Sequence, residues 1–174
     1  MIRAYHAFRT PSVPDPILDS PSVIRVRTAL SAAGVVADIV TLPDAARTAK
    51  AAADALGCNV AQIANSLVFR LERSGLPLLV MSSGANRVDV ARLGTLAGEP
   101  AGKADAVFVR AVTGFAIGGV APVGHAAALR AFVEKSLAAH REIWAAAGHP
   151  HTVFRLTYDE LVRITGGEQV DVAA

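Results

Sequence analysis

Apolar positions in the first third of the chain recur mostly at helical spacing. Between Ser20 and Gly34, Val23, Val26 and Leu30 return every three to four residues, the spacing of one helical face. Ser20-Pro21 supplies an N-cap and a proline at the first helical position, and Gly34 a stop. Val35–Leu42 is β-branched and alternates in part, which predicts a strand. Pro43-Asp44 predicts the start of a second helix, with Ala45, Ala49, Ala52, Ala53 and Leu56 on one stripe and Gly57 at its end. Residues 1–19, punctuated by Pro11, Pro14 and Pro16, read as an extended arm outside the domain at 20–174.

The pattern then changes. Ser66–Glu72 and Leu76–Met81 are nearly unbroken apolar runs joined by Arg73-Ser74-Gly75, which predicts a hairpin buried on both faces. Val88–Leu96 has helical spacing, and Gly98-Glu99-Pro100 breaks it. Ala106–Arg110 reads as a strand leading into a glycine-rich segment, and Leu129–Val133, Glu142–Ala146 and Val153–Leu156 have strand character. Thr157-Tyr158-Asp159-Glu160 is a capping box for a helix over Asp159–Ile164, and Val170–Val172 adds an edge strand. Helices interleave with hairpins as well as crossovers, so the fold class is α/β with a sheet that is not purely parallel.

At 174 residues the chain is long enough for one domain with a substantial core. Its 52% apolar content includes many alanines, which implies a core of small side chains. A net charge of +2 neither demands nor excludes nucleic acid, because gripping only the end of a strand needs few phosphate contacts. Cys58 is the only cysteine, which excludes an internal disulfide and a cysteine-rich zinc site. His149 and His151 flank Pro150 without an acidic or cysteine companion nearby, so no metal and no cofactor is expected. No membrane association is expected either: no apolar run approaches the ~20 residues of a spanning helix, no signal-peptide pattern opens the chain, and the expected location is cytoplasmic. Neither a dinucleotide fingerprint nor a nucleoside-triphosphate phosphate loop occurs.

The candidate chemistry lies in Val112–His125, where Gly114, Gly118, Gly119 and Gly124 sit among apolar residues and Pro122 stiffens the end of the segment. Such a segment shapes a pocket from backbone groups. A plain turn between two strands is the simpler reading of the glycines alone. The spacing Gly118-x-x-x-Pro122 after Thr113-Gly114 favours the pocket.

In "TGFAIGGVAPVGH" at 113–125, "QIANSLVFRL" at 62–71 and "LLVMSSGANRVDVARL" at 78–93, the chain resembles the YbaK/EbsC family. These are stand-alone relatives of the editing domain of bacterial prolyl-tRNA synthetases, and the resemblance runs from about Ser22 to Thr165. It implies a mixed, curved or barrel-like sheet flanked by helices. The activity implied is trans-editing, hydrolysis of the ester that joins a wrong amino acid to the terminal ribose of tRNA. The partner implied is the acceptor end of an aminoacyl-tRNA, with association to a synthetase and a homodimer as further expectations; the arm, outside the resemblance, is expected to pack either on the surface or on a second subunit. Asn65, Gly118 and Gly119 are the implied catalytic positions. Ser83, Gly84, Thr113, Gly114, Phe115, Pro122 and His125 are implied on the substrate side, with Phe115, Ile117 and Val120 walling a small pocket.

One position departs from the family. Asn65 stands where many members carry a lysine, and asparagine keeps donors and an acceptor but loses the charge. Three readings stay open: Asn65 serves a related substrate by hydrogen bonding, Lys103 or Arg87 supplies the charge, or the chain is a non-catalytic tRNA-end or small-ligand binding module.

Overall fold

The computed structural model describes residues 14–44 and 46–174. Most of the arm expected over 1–19 lies outside them. Residues 16–19 form a turn, and the Asp15 carboxylate accepts hydrogen bonds from the Ile17 N–H (2.9 Å) and the Thr41 hydroxyl (3.0 Å).

The elements run α1 (Pro21–Ala32), β1 (Ile39–Thr41), α2 (Ala49–Leu56), β2 (Ile63–Leu71) and β3 (Pro77–Ser83). They continue α3 (Val90–Ala97), β4 (Ala101–Lys103), α4 (Ala106–Thr113), β5 (Arg130–Glu134), β6 (Ile143–Ala146), β7 (Thr152–Leu156), α5 (Tyr158–Thr165) and β8 (Glu168–Val170). Eight strands form one mixed sheet in the order β1-β7-β6-β2-β3-β5-β8, with β4 also on β2. The β2–β6, β3–β5 and β5–β8 pairings are parallel, and the others are antiparallel. The mixed sheet flanked by helices is the fold class expected.

The hydrophobic pattern sorts the faces of the sheet. Ala64, Val68, Leu79, Met81 and Val133 meet Val26 and Leu30 of α1, Val109 of α4 and Leu161 of α5 in the main core. On the opposite face Phe69, Leu78, Val80 and Phe132 pack on Leu93 of α3. A smaller cluster sets Ala52 and Ala53 of α2 against Ile63 and Val153.

Two segments differ from the sequence reading. Ala106–Arg110, expected as a strand, is the start of α4: the Asp105 carboxylate accepts the Phe108 N–H at 2.8 Å and caps the helix, and Val109 and Thr113 face inward four residues apart. The second helix begins at Ala49 rather than Pro43, because Thr48 caps it by accepting the Ala51 N–H at 3.1 Å.

The pairings of β2 decide where a site can form. Along one edge, Ile63 and Ala64 pair with β6 and Phe69–Leu71 pair with β4. Among the described residues, no strand partners residues 65–67 on that edge, while β3 holds their other edge. The sheet is interrupted there, and the interruption opens beside Asn65.

Candidate active site

A cleft of about 560 Å³ opens at the interruption. Its walls come from the start of β2, the segment leading into α2, the loop at 117–120, β6 and the turn at 150–153. Ala46, Ala49, Ala52, Ala145 and Ala146 line it, so small side chains make the room, and Ile63, Ile117, Val120 and Val153 make it apolar. The polar groups converging on it include Asn65, Arg47 and His151. A larger depression of about 650 Å³ lies between α3 and the turn at 98–101, but its two charged residues are engaged: Arg73 donates to the Gly98 carbonyl, and Glu99 accepts the Arg73 and Ser74 N–H groups. The cleft beside Asn65 is therefore the site with free chemistry.

Asn65 is half-buried, and among the described residues no hydrogen bond takes its side-chain amide. A half-buried amide without a protein partner is reached by water and stays open to a ligand. Gly118 lies across the cleft with φ +87°, the left-handed region that favours glycine. The Gly119 N–H donates to the Ala116 carbonyl at 3.0 Å and closes a tight turn. That turn presses on the neighbouring one: a Cβ built on Gly119 would stand 2.8 Å from the His149 carbonyl carbon.

The other expected positions are dispersed. Ser83 is buried and donates to the Ala61 carbonyl, and Gly84 lets the end of β3 approach the Val60 carbonyl. Thr113 is fully buried, with its hydroxyl donating to the Val109 carbonyl (2.7 Å) and accepting the Phe115 N–H (3.0 Å), so it shapes the start of the glycine segment from below. Gly114 ends α4 with φ +77°, and Arg25 donates to its carbonyl. Phe115 is 1% exposed and belongs to the main core, not to the cleft wall. Pro122 and His125 line a separate groove beside α1. There the His125 ring is 2.7 Å from the Ala121 carbonyl, and burial is the main cause that pushes its pKa down. Of the implied residues, the structure brings Asn65, Gly118, Ile117 and Val120 together at the cleft, with Gly119 in the supporting turn.

Sequence reasoning weighs Arg47 only as part of a helix face that could meet tRNA phosphates and His151 only as a weak metal ligand, and places neither at a pocket. Lys103 and Arg87, considered as replacement cations, do not line the cleft; Lys103 ends β4 opposite Phe69. Arg47 does line it. Its only sequence signal is its place in the segment before α2, where it has the pattern of an ordinary helix surface.

A family model described as "Aminoacyl-tRNA editing domain" matches residues 43–164, a span that contains nearly all of the cleft lining. The chain belongs to this family. A crystal structure described as "a putative trans-editing enzyme for prolyl tRNA synthetase" superposes with a TM-score of 0.84 at 44% identity, over 89% of this chain and 98% of that one. A scaffold protein used for epitope backbone grafting matches at 43% identity and TM-score 0.84, over 89% of this chain and 99% of that one. A "hypothetical protein APE2540" follows at 27% identity and TM-score 0.79, over 86% and 99%. No curated protein matches significantly. Among the described residues no helix is long and apolar enough to cross a membrane, and no group of three acidic, histidine or cysteine side chains is placed to hold a metal.

A buried carboxylate stiffens the sheet of this editing domain next to the cleft. Asn65 lies directly opposite Ser82 on β3, and the Ser82 hydroxyl donates to Glu134 of β5 at 2.7 Å. The 1%-exposed Glu134 carboxylate also accepts the Ser83 N–H (2.9 Å), the Asn86 amide and the Ser136 hydroxyl. Burial alone would raise its pKa, but these four donors outweigh it and hold the carboxyl below its ordinary 4.5. A lowered folded-state pKa contributes stability that is complete above the unfolded value and is lost as pH falls through the folded one. Glu134→Gln, which sets an NH₂ group against these donors, is expected to cost ~1–3 kcal/mol at neutral pH. In urea titrations this deficit should shrink as pH drops below about 4, into the carboxylate range. A deficit constant across that range would mean that the charge contributes nothing.

Proposed function

We propose that this editing domain hydrolyses the aminoacyl ester of mischarged tRNA in trans. The observation that carries the reading is the unpartnered Asn65 amide facing Gly118 across a cleft walled by alanines. An aminoacyl ester is already activated, so a positioned water and a donor for the developing oxyanion suffice. Gly118 supplies that donor: no hydrogen bond among the described residues takes its N–H, whereas that of Gly119 is used within the turn. The small wall admits a short side chain and excludes longer ones. Asn65 hydrogen-bonds the ester or the α-amino group in place of the family lysine, and Arg47 at the cleft meets the terminal phosphate. Editing by a second site is needed because a synthetic site gains only ~1–3 kcal/mol per methylene against a near-isostere.

The test is a deacylation assay on tRNAs charged with alanine, serine, threonine and cysteine. Wild type is expected to cleave at least one. Asn65→Ala should slow that cleavage at least tenfold, ~1.4 kcal/mol of barrier. Binding of every charged tRNA without cleavage would instead identify a non-catalytic tRNA-end module, the reading favoured by the lost lysine charge. An unchanged rate in Asn65→Ala would remove Asn65 from the site.

A further inference from the structure

We propose that His151 is the general base of the editing reaction and that Asp44 aligns it; this rests on the hydrolytic reading above. Among the described residues lining the cleft, His151 is the only side chain of a type that serves as a general base, the others being apolar groups, hydroxyls, one amide and one guanidinium. Its backbone is fixed on a rigid turn. The His151 carbonyl accepts the Leu42 N–H at 2.6 Å, its own N–H donates to His149 Nδ1 at 3.1 Å, and the next residue, Thr152, is fully buried.

The two ring nitrogens have different surroundings. Nδ1 is buried and has no aligned hydrogen bond, yet it lies 3.0 Å from Asp44 Oδ1. The negative charge of a carboxylate this close favours the tautomer with its proton on Nδ1, which leaves Nε2 as the basic nitrogen. The side chain remains 19% exposed, and His151 lines the cleft. His149 is less suited to the role. Its Nδ1 already accepts a hydrogen bond, and its ring packs edge-on against His151 with centroids 5.4 Å apart.

In the reaction, Nε2 takes one proton from a water as its oxygen attacks the ester carbonyl carbon. The carbonyl π pair moves onto oxygen, toward the Gly118 N–H. When the tetrahedral intermediate collapses, the bond from the carbonyl carbon to the ribose oxygen breaks. The imidazolium returns its proton to that oxygen, leaving a free amino acid and a tRNA with its hydroxyl restored. His151 acts as the neutral imidazole, which is what gives general-base catalysis its pH dependence. The charged or titratable groups facing it are Asp44 from the segment after β1, Arg47 before α2 and His149 on its own turn.

The test compares wild type, His151→Gln, His151→Ala and Asp44→Asn in deacylation of the same four charged tRNAs, with kcat and KM resolved from pH 5 to pH 9. His151→Gln is expected to lower kcat at least a hundredfold, the scale of general-base catalysis. KM should stay within threefold, and the rise of rate with pH should be lost. Free imidazole should restore part of the activity of His151→Ala. Asp44→Asn should lower kcat about threefold to tenfold and shift the pH profile, since Asp44 is 94% exposed and its field is screened. Melting curves superimposable with wild type separate these effects from misfolding. If His151→Gln keeps the wild-type kcat and pH profile, or if His151→Ala is slow and free imidazole restores nothing, the base is not His151 and the editing reading stands alone. A wild type that cleaves none of the four overturns the editing reading and the base role with it.

Discussion

Replacing Gly119 by alanine is expected to lower deacylation at least a hundredfold while the protein stays folded. The new Cβ would stand 2.8 Å from the His149 carbonyl carbon and 2.9 Å from the Pro150 nitrogen. Both are backbone atoms that cannot rotate away, so the turn at 116–119 and the turn at 149–152 must separate. Gly118 rides on the first turn and His151 on the second, and both line the cleft. A misplacement of about 1 Å between reacting groups costs on the order of a hundredfold in rate, ~2.7 kcal/mol of barrier. Gly118→Ala acts by another route: its Cβ meets Pro150 at an ordinary 3.7 Å, and the cost lies in holding alanine at φ +87°. Single-turnover deacylation measured beside the melting temperature separates the two. Full activity in Gly119→Ala would mean that the contact between the turns does not position the site.

The second large effect is on stability. Phe115→Ala is expected to destabilise the domain by ~3–5 kcal/mol, the range for emptying a fully buried aromatic site. For a chain of this size that is a fall in Tm on the order of 10 °C. The ring is 1% exposed, with the Arg25 guanidinium 4.4 Å from its centroid and the His125 ring set edge-on at 6.1 Å. Val120, Ala121 and Val123 of the same segment are also buried, so the glycine segment is anchored in the core along much of its length. Selectivity among charged tRNAs, measured on the folded fraction, should not change, because Phe115 is absent from the cleft wall. A variant with wild-type Tm that cleaves larger aminoacyl esters would return Phe115 to the wall.

Legibility tracked the strength of local signals. The capping box at Thr157 holds as read: Thr157 accepts the Glu160 N–H at 3.2 Å, and Glu160 returns to the Thr157 N–H at 2.9 Å. The apolar runs of β2 and β3 are plain because both of their faces meet packed layers. The segment Ala106–Arg110 misleads because Val107 and Val109 favour strands, while one aspartate before them caps a helix; the cap and the inward spacing prevail. β4 has only three residues, one of them a glycine, too little to leave a pattern.

The site is legible in half. Asn65 and Gly118 stand in motifs, so resemblance finds them. His151 stands out in the sequence only as a weak metal ligand. What brings it to the cleft is the antiparallel pairing of β1 with β7, which lays residues 39–41 beside residues 152–154, and no sequence spacing encodes that. Phe115 looks like a pocket wall because it sits among glycines. Only the three-dimensional packing shows that the chain turns it inward.

The interrupted edge of β2 bears on how this site tolerates change. Position 65 is held through β3 on one edge, and its neighbours are clamped by β6 before it and β4 after it. The main chain there is set by these pairings, so position 65 is expected to work as a socket. Asn65→Lys is expected to leave the walls in place. Length is a different matter. Inserting or deleting one residue within β2 would turn the side chain at 65 to the other face, into the core beside Val68 and Leu79, and bring a core residue into the cleft. Substitution at this socket can retune the chemistry of the domain, whereas a one-residue change in strand length would erase it.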